Sequence, residues 1–430
     1  MEASTNYDVV IIGAGMAGLY AAYKIKKMSP QTRVVVLERT NKRNLGGRAG
    51  TVSFQGTDVV TGAGIGRKNK DELLMKLMRE MGLPIREFTT GHHFPDSIRS
   101  GCVDVKSVFT MLRREYKSQS DQKGERIHTT FKEFARSVLE DDLYNQFVTC
   151  VGYSDYENED VYDTLYNYGF DDNYQSWVGF SVPWRELVEA MVVHIGADNI
   201  SANSNVQSIH NHEYCRGGSI GSGFSITFEK TRRLSTITTR KLVLATDIES
   251  VMALIPGAKN SIYQQIKGQP FLRLYGKFTK PSIPIMKKYA SALMVVPGPI
   301  QKIIPMNSDK GVYMISYSDN RRTMALRKYL ENTSENRERI CRLLEKGLGI
   351  PKEERVLELT DMMDFYWPIG THYYQPLQAP FRNRQEFIKT AQTPFPNMLV
   401  VGELISLNQG WVEGALDSVE KVITKKWLID

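Results

Sequence analysis

Residues 7–38 confine this chain to a narrow set of folds. Tyr7-Asp8-Val9-Val10-Ile11-Ile12 is a β-branched run of strand length, and Gly13-Ala14-Gly15-Met16-Ala17-Gly18 follows it directly as G-x-G-x-x-G. Leu19, Ala22, Tyr23 and Ile25 continue at helical spacing. A second β-branched run, Val34-Val35-Val36-Leu37, ends at Glu38, twenty residues after Gly18. Strand, glycines, helix, strand and acid in this order make a βαβ unit that binds a dinucleotide. Gly13 allows the tight turn, Gly15 lets backbone approach a pyrophosphate, and Gly18 lets helix and strand pack closely. The helix start at Met16 and Ala17 offers N–H donors to the phosphates. Glu38, with Arg39 beside it, is placed to accept the ribose hydroxyls.

A second glycine pair narrows the nucleotide. Gly46-Gly47-Arg48-Ala49-Gly50-Thr51 reads G-G-R-x-x-T. An NAD site has no standing need for it. FAD extends past its pyrophosphate into ribityl and isoalloxazine, and there a further close backbone approach and a cation are useful. Near the other end, Met398-Leu399-Val400-Val401-Gly402-Glu403 reads as a buried strand. Gln409-Gly410-Trp411-Val412-Glu413-Gly414-Ala415 then opens a helix that runs to about Lys426.

Together these motifs resemble the FAD-dependent amine oxidases, the monoamine and polyamine oxidase superfamily, and they frame nearly the whole chain. The resemblance implies an α/β fold, with a Rossmann-like FAD-binding domain interleaved with a mixed α+β substrate domain. FAD-binding parts are expected at 1–83, 181–269 and 365–430. Substrate-domain parts are expected at 84–180, mainly helical, and at 270–364, a sheet with a helix. The resemblance further implies that Gly62, Ala63, Gly64 and Ile65 pass under the flavin ring, although Val60 stands where the family usually has an acid. Val206 would flank the adenine, and Trp367, Gly402, Glu403, Gly410 and Val412 would contact the cofactor, together with Gly47 and Arg48.

Trp367-Pro368-Ile369-Gly370-Thr371-His372-Tyr373 aligns with the family stretch whose cysteine bonds the flavin covalently. His372 takes that cysteine's place, so non-covalent FAD is expected. Tyr373 and Trp411 fall on the family's aromatic pair, two ring faces that would form a slot for the amine above the flavin. Arg273 falls where the family often has a lysine near flavin N5. It alternates with Leu272 and Leu274 and so faces away from them. Arginine is no base at working pH. Three roles stay open for it: holding a substrate carboxylate, holding a water, or pairing structurally with an acid.

The resemblance implies oxidation of an amine by hydride transfer to flavin N5, giving an imine and hydrogen peroxide, with oxygen as second substrate. Other enzymes share the scaffold: dehydrogenases and desaturases of larger molecules, such as protoporphyrinogen oxidases and carotenoid desaturases. A non-catalytic flavin-binding module is the third reading.

Composition sets outer limits. The 430 residues exceed one compact core, so two domains are expected. The net charge of +7 is scattered, with no basic stripe interleaved with aromatics, so nucleic-acid binding is not expected. From Glu140 to Trp184 there are ten acids and no Lys, Arg or His. That run reads either as a solvated face or as a negative mouth that concentrates cationic amines. Combined with Arg273, a negative mouth would suit an amino-acid-like zwitterion. Cys102, Cys150, Cys215 and Cys341 lie far apart with no C-x-x-C, which reads as free thiols in a reducing, cytoplasmic setting with no metal site. No signal peptide or membrane anchor is expected, and a homodimer is compatible with the chain.

Overall fold

A computed structural model describes residues 6–99, 102–168, 176–216, 219–354 and 356–429. The first strand, β1 (Asn6–Ile12), runs into α1 (Met16–Met28), and the chain returns as β2 (Val34–Leu37) parallel to β1. These strands are apolar on both faces because helices and a β-meander cover both sides. The sheet has seven strands. Ile200–Ser201, β2, β1, the second half of Arg233–Leu244 and Met398–Val400 form its parallel part. Ser204–Arg216, Ser219–Lys230 and Arg233–Leu244 add an antiparallel meander. One face packs on α1, Trp184–Ile195 and Val412–Val422. The other packs on the meander, Ile248–Leu254 and Arg384–Gln392.

The second sheet is antiparallel and five-stranded, in the order Met294–Val295, Lys302–Asn307, Val312–Asp319, Ile266–Phe278, Leu359–Tyr374. Its two longest strands carry Arg273 and Trp367 respectively. Leu272 and Leu274 are buried under Ser282–Tyr289 and Ser334–Leu348, and Arg273 faces the opposite side, as the alternation requires. A helical bundle between residues 105 and 166 forms its own aromatic-rich core.

Two expectations are corrected here. Cys102 and Cys150 are paired as a disulfide, their Cα atoms 5.7 Å apart. Separation along the chain hid this, because the helical bundle brings the two segments together. The free-thiol argument for a reducing compartment therefore falls away. Cys341 is a free, buried thiol, and the side chain of Cys215 lies outside the described residues.

The acidic run is the second. Half of its described members turn inward, while Glu140, Asp141 and Asp142 stay exposed. Glu157, Glu159, Asp160 and Asp163 are buried. Asp160 binds Arg126 at 2.6 Å, and Asp163 binds Arg384 at 2.7 Å. The basic partners come from outside the run, so charge counting within the segment could not see them. Asp171, Asp172 and Tyr174 lie outside the described residues. Among the described residues, no helix is long and apolar enough to cross a membrane.

Candidate active site

A cavity of about 1100 Å³ runs from the start of α1 to the inner face of the five-stranded sheet. At one end stand Gly15, Met16, Ala17 and Arg39, followed by Gly47, Arg48 and the Gly62-Ala63-Gly64-Ile65 segment. Gly13 has φ +100°, and a Cβ there would meet the Ala245 carbonyl oxygen at 2.5 Å. A Cβ on Gly18 would lie 1.9 Å from the Gly13 oxygen. A Cβ on Gly15 would meet nothing within 4 Å. Two glycines are thus required by packing, and the third is required only if something occupies the cavity against it.

Helix ends give the same message. Gly15 caps α1 and Trp411 caps Val412–Val422, and neither end has a side-chain cap. Two uncapped N-termini, each with unpaired N–H donors and positive dipole ends, open on one cavity. A ligand with a pyrophosphate and an electron-rich ring edge fits that arrangement.

Between these ends Glu403 gathers the wall. Arg48 Nη1 lies 3.0 Å from Glu403 Oε1 and donates to the Gly370 carbonyl at 2.6 Å. The Gly410 amide donates to Glu403 Oε2 at 2.9 Å. His372 Nδ1 lies 2.5 Å from Oε1. Burial pushes this carboxyl up, but His372 and Arg48 outweigh it and hold the pKa at about 2. Trp367 Nε1 donates to the Thr61 carbonyl and Trp184 Nε1 to that of Gly64, both at 2.8 Å, so indoles hold both ends of the 61–65 segment.

Two expected cofactor residues, Glu38 and Val206, do not line the cavity. Glu38 spends its oxygens on protein donors: Oε2 accepts from Ala14 N at 2.8 Å, and Oε1 from Thr40 N at 2.7 Å. Arg39 lines the cavity and Glu38 does not. Val206 packs into the core behind the sheet.

The aromatic pair is split. From the Trp367–Tyr373 stretch, residues 367–371 line the large cavity. His372 and Tyr373 line a second cavity of about 320 Å³, along with Arg67, Lys70, Asp155 and Glu413. Trp411 lines both. It stands edge-on to Trp184, ring centroids 6.2 Å apart. The motif is present, but only one of its rings faces the large cavity.

Arg273 is buried and reaches the large cavity. Its Nε donates to the Gly62 carbonyl at 3.0 Å, and its guanidinium lies over Tyr317, 3.4 Å from the ring centroid. It therefore ties the second sheet to the 62–65 segment. Around it stand groups with no sequence motif. Asp155 and Asp319 line the cavity with Tyr153, Tyr168 and Tyr317. Lys302 is buried against Tyr153, its Nζ 3.0 Å from the ring centroid, and burial lowers its pKa well below the usual lysine value. Strand alternation sets Arg273 and Lys302 opposite Leu272, Leu274 and Ile303, whereas Tyr317 shares the parity of the buried Tyr313 and Ile315 and joins Arg273 only through a register shift in the ladder. Nothing local announces that they converge.

A family model described as flavin containing amine oxidoreductase matches residues 16–421. The chain belongs to this family. Its fold is also that of known members. Putrescine oxidase bound to putrescine superposes with a TM-score of 0.70 at 14% identity, covering 97% of this chain and 98% of the other. Cyclohexylamine oxidase from Brevibacterium oxydans superposes with a TM-score of 0.69 at 15% identity, covering 96% and 97%. At such identities the likeness is one of fold. An uncharacterized protein, R188, from Acanthamoeba polyphaga mimivirus is 20% identical over 486 aligned positions, covering 97% of this chain and 93% of that protein. The chain is a flavin-type oxidoreductase with the Rossmann-like fold that its first forty residues imply.

Proposed function

We propose that this protein oxidises an amine with non-covalently held FAD. One observation carries the reading: the large cavity joins two uncapped helix N-termini to an aromatic and charged wall on the second sheet. The adenine-side phosphates would lie on Gly15, Met16 and Ala17. The ring would lie between the Gly62–Ile65 segment and the Gly410–Val412 helix start. When bound, FAD supplies the acceptor for a hydride from the amine α-carbon, and oxygen then yields hydrogen peroxide.

The residues of the chain bind, orient and polarise. The helix start at Val412 favours negative charge at its N-terminus, where its N–H groups lack side-chain partners. Arg48, fixed by Glu403 and Gly370, places a cation beside the cofactor wall. Trp411 presents a ring to the incoming substrate, and Tyr373 does so from the smaller cavity. His372 stays off the cofactor because both its ring nitrogens are engaged. On this reading the FAD-binding parts are 1–83, 181–269 and 365–430, and the substrate-domain parts are 84–180 and 270–364.

A panel of primary, secondary and cyclic amines, amino acids and porphyrinogen-type substrates decides the reading. Peroxide release coupled to flavin bleaching by amines supports it. Bleaching only by a non-amine moves the protein to the dehydrogenase branch of the fold. No bleaching by any member of the panel favours a non-catalytic module.

A further inference from the structure

The large cavity has an arm that the cofactor does not need. It begins at Ile65, where the 62–65 segment ends, and one wall is a three-stranded sheet in the order Gly66–Arg67, Trp177–Ser181, Arg86–Thr90. Phe88 pairs with Gly179 and Thr90 with Trp177, so Phe88 and Trp177 share one face of this sheet. A Cβ on Gly179 would come within 3.1 Å of Trp177 and 3.3 Å of both Ile65 and Phe88. Three apolar side chains therefore converge over a position that has none. Phe88 is 39% exposed and marks the open end. The other wall belongs to the second sheet. His93 N donates to the Leu293 carbonyl at 3.0 Å, and Val295 N donates to the His93 carbonyl at 2.8 Å, so the chain leaving Arg86–Thr90 is sewn to that sheet. From there Leu293, Ile304 and Met306 line the cavity, each half-buried.

The arm is apolar throughout. Between 88 and 92, at 177 and between 293 and 306, no described residue lining the cavity is Asp, Glu, Lys or Arg. Asp319, elsewhere on the cavity wall, is engaged by the Ser154 amide and hydroxyl and by Gln301 Nε2. We propose that this arm selects the substrate by its tail: it takes a long apolar tail of a monoamine and rejects a chain that ends in a second ammonium group. The proposal rests on the amine-oxidation reading and deepens it, because that reading leaves the tail open. Apolar surface buried between Trp177 and Leu293 favours each added methylene. A second charge carried into the same arm loses its water and meets no counter-ion. Leu293 and Trp177 are the residues that set this preference.

Initial rates of peroxide release by the FAD-loaded protein from n-butylamine, n-hexylamine and hexamethylenediamine test this. The added methylenes should lower KM for n-hexylamine at least about fivefold below that of n-butylamine. Hexamethylenediamine has the same length and a second charge, and its KM should lie at least about tenfold above that of n-hexylamine. Leu293→Glu sets a carboxylate in the arm and should invert the order of n-hexylamine and the diamine. Equal KM values for the two monoamines overturn the proposal. So does a wild-type diamine KM at or below that of n-hexylamine, or an unchanged KM ratio in Leu293→Glu. If that variant loses FAD, the wild-type series decides. If no amine is turned over, calorimetric titration with n-hexanol and n-butanol reads the arm by itself. Hexanol binding at least about fivefold tighter keeps the arm and loses only the amine-oxidase reading. Equal binding of the two alcohols, or binding of neither, overturns both.

Discussion

His372 directs Nδ1 at Glu403 Oε1, 2.5 Å away, while its Nε2 accepts the amide N–H of Ile248 at 3.2 Å. An amide donor at Nε2 leaves the proton on Nδ1, so the geometry assigns the tautomer. Neither nitrogen is available for a bond to flavin. Acid or heat should therefore release all FAD into the supernatant. Flavin fluorescence that stays with the denatured polypeptide on a gel would contradict this.

The same pair gives a pH prediction. The Glu403 carboxyl sits at about 2 in the folded protein against about 4.5 unfolded. A depressed carboxyl stabilises the fold above its unfolded pKa, and that stabilisation is lost as pH falls from about 4.5 towards 2. Glu403→Gln should lower stability at neutral pH by roughly 2–3 kcal/mol and flatten the acid limb of the stability curve. Urea midpoints measured between pH 3 and 7 check it. Parallel acid limbs in wild type and variant would mean that Glu403 is not the group responsible.

The glycine-rich turn of the first βαβ unit was legible because its residues act locally, whereas Glu38 and Val206 do not line the cavity. Gly13, Gly15 and Gly18 announce themselves by spacing; packing requires Gly13 and Gly18, and Gly15 faces the open cavity. The substrate end was not. Asp155, Asp319, Lys302 and Arg273 come from four separated segments, and their meeting depends on how the second sheet packs on the first. Tyr373 shows the same limit from another side. Its motif places it beside the flavin, but the direction of one side chain on a long strand sends it into the smaller cavity. The acidic run misled in part because Arg126 and Arg384, which pair with its Asp160 and Asp163, lie outside it.

The buried Arg126–Asp160–Arg384–Asp163 cluster should be a stability keystone. Arg384 Nε donates to Asp163 at 2.7 Å, and Arg126 binds Asp160 at 2.6 Å. Burial, and after it Arg384, are the largest influences on Asp163, and the net direction is upward. Arg384→Ala leaves two buried carboxylates sharing one arginine and should cost about 3–5 kcal/mol. Thermal unfolding of the variant checks this. A shift of less than two degrees would show that water compensates the loss.

Arg273→Met separates structure from recognition. Because the guanidinium is spent on Gly62 and Tyr317, the substitution should loosen the 62–65 segment. FAD retention and melting temperature should then both fall, with equal effects on simple amines and amino-acid-like amines. A selective loss of more than about tenfold on substrates bearing a carboxylate would instead assign Arg273 a bidentate role, since a charge-assisted contact is worth roughly 1.5–3 kcal/mol. Stopped-flow reduction with matched substrates separates the two outcomes.

Trp411 and Tyr373 should differ in which kinetic step they control. Trp411 stands at the junction of the two cavities, beside the helix start that faces the large one. Tyr373 is confined to the smaller cavity. Trp411→Ala should slow anaerobic flavin reduction by roughly 1–3 kcal/mol in transition-state terms, because it removes a ring that orients the amine as it reacts. Tyr373→Ala should instead raise KM and leave the limiting reduction rate near the wild-type value, because its ring meets the substrate before the chemistry. FAD should stay bound in both. Equal slowing of reduction in the two variants would restore the paired slot implied by the family resemblance. No effect in either would make both rings packing residues.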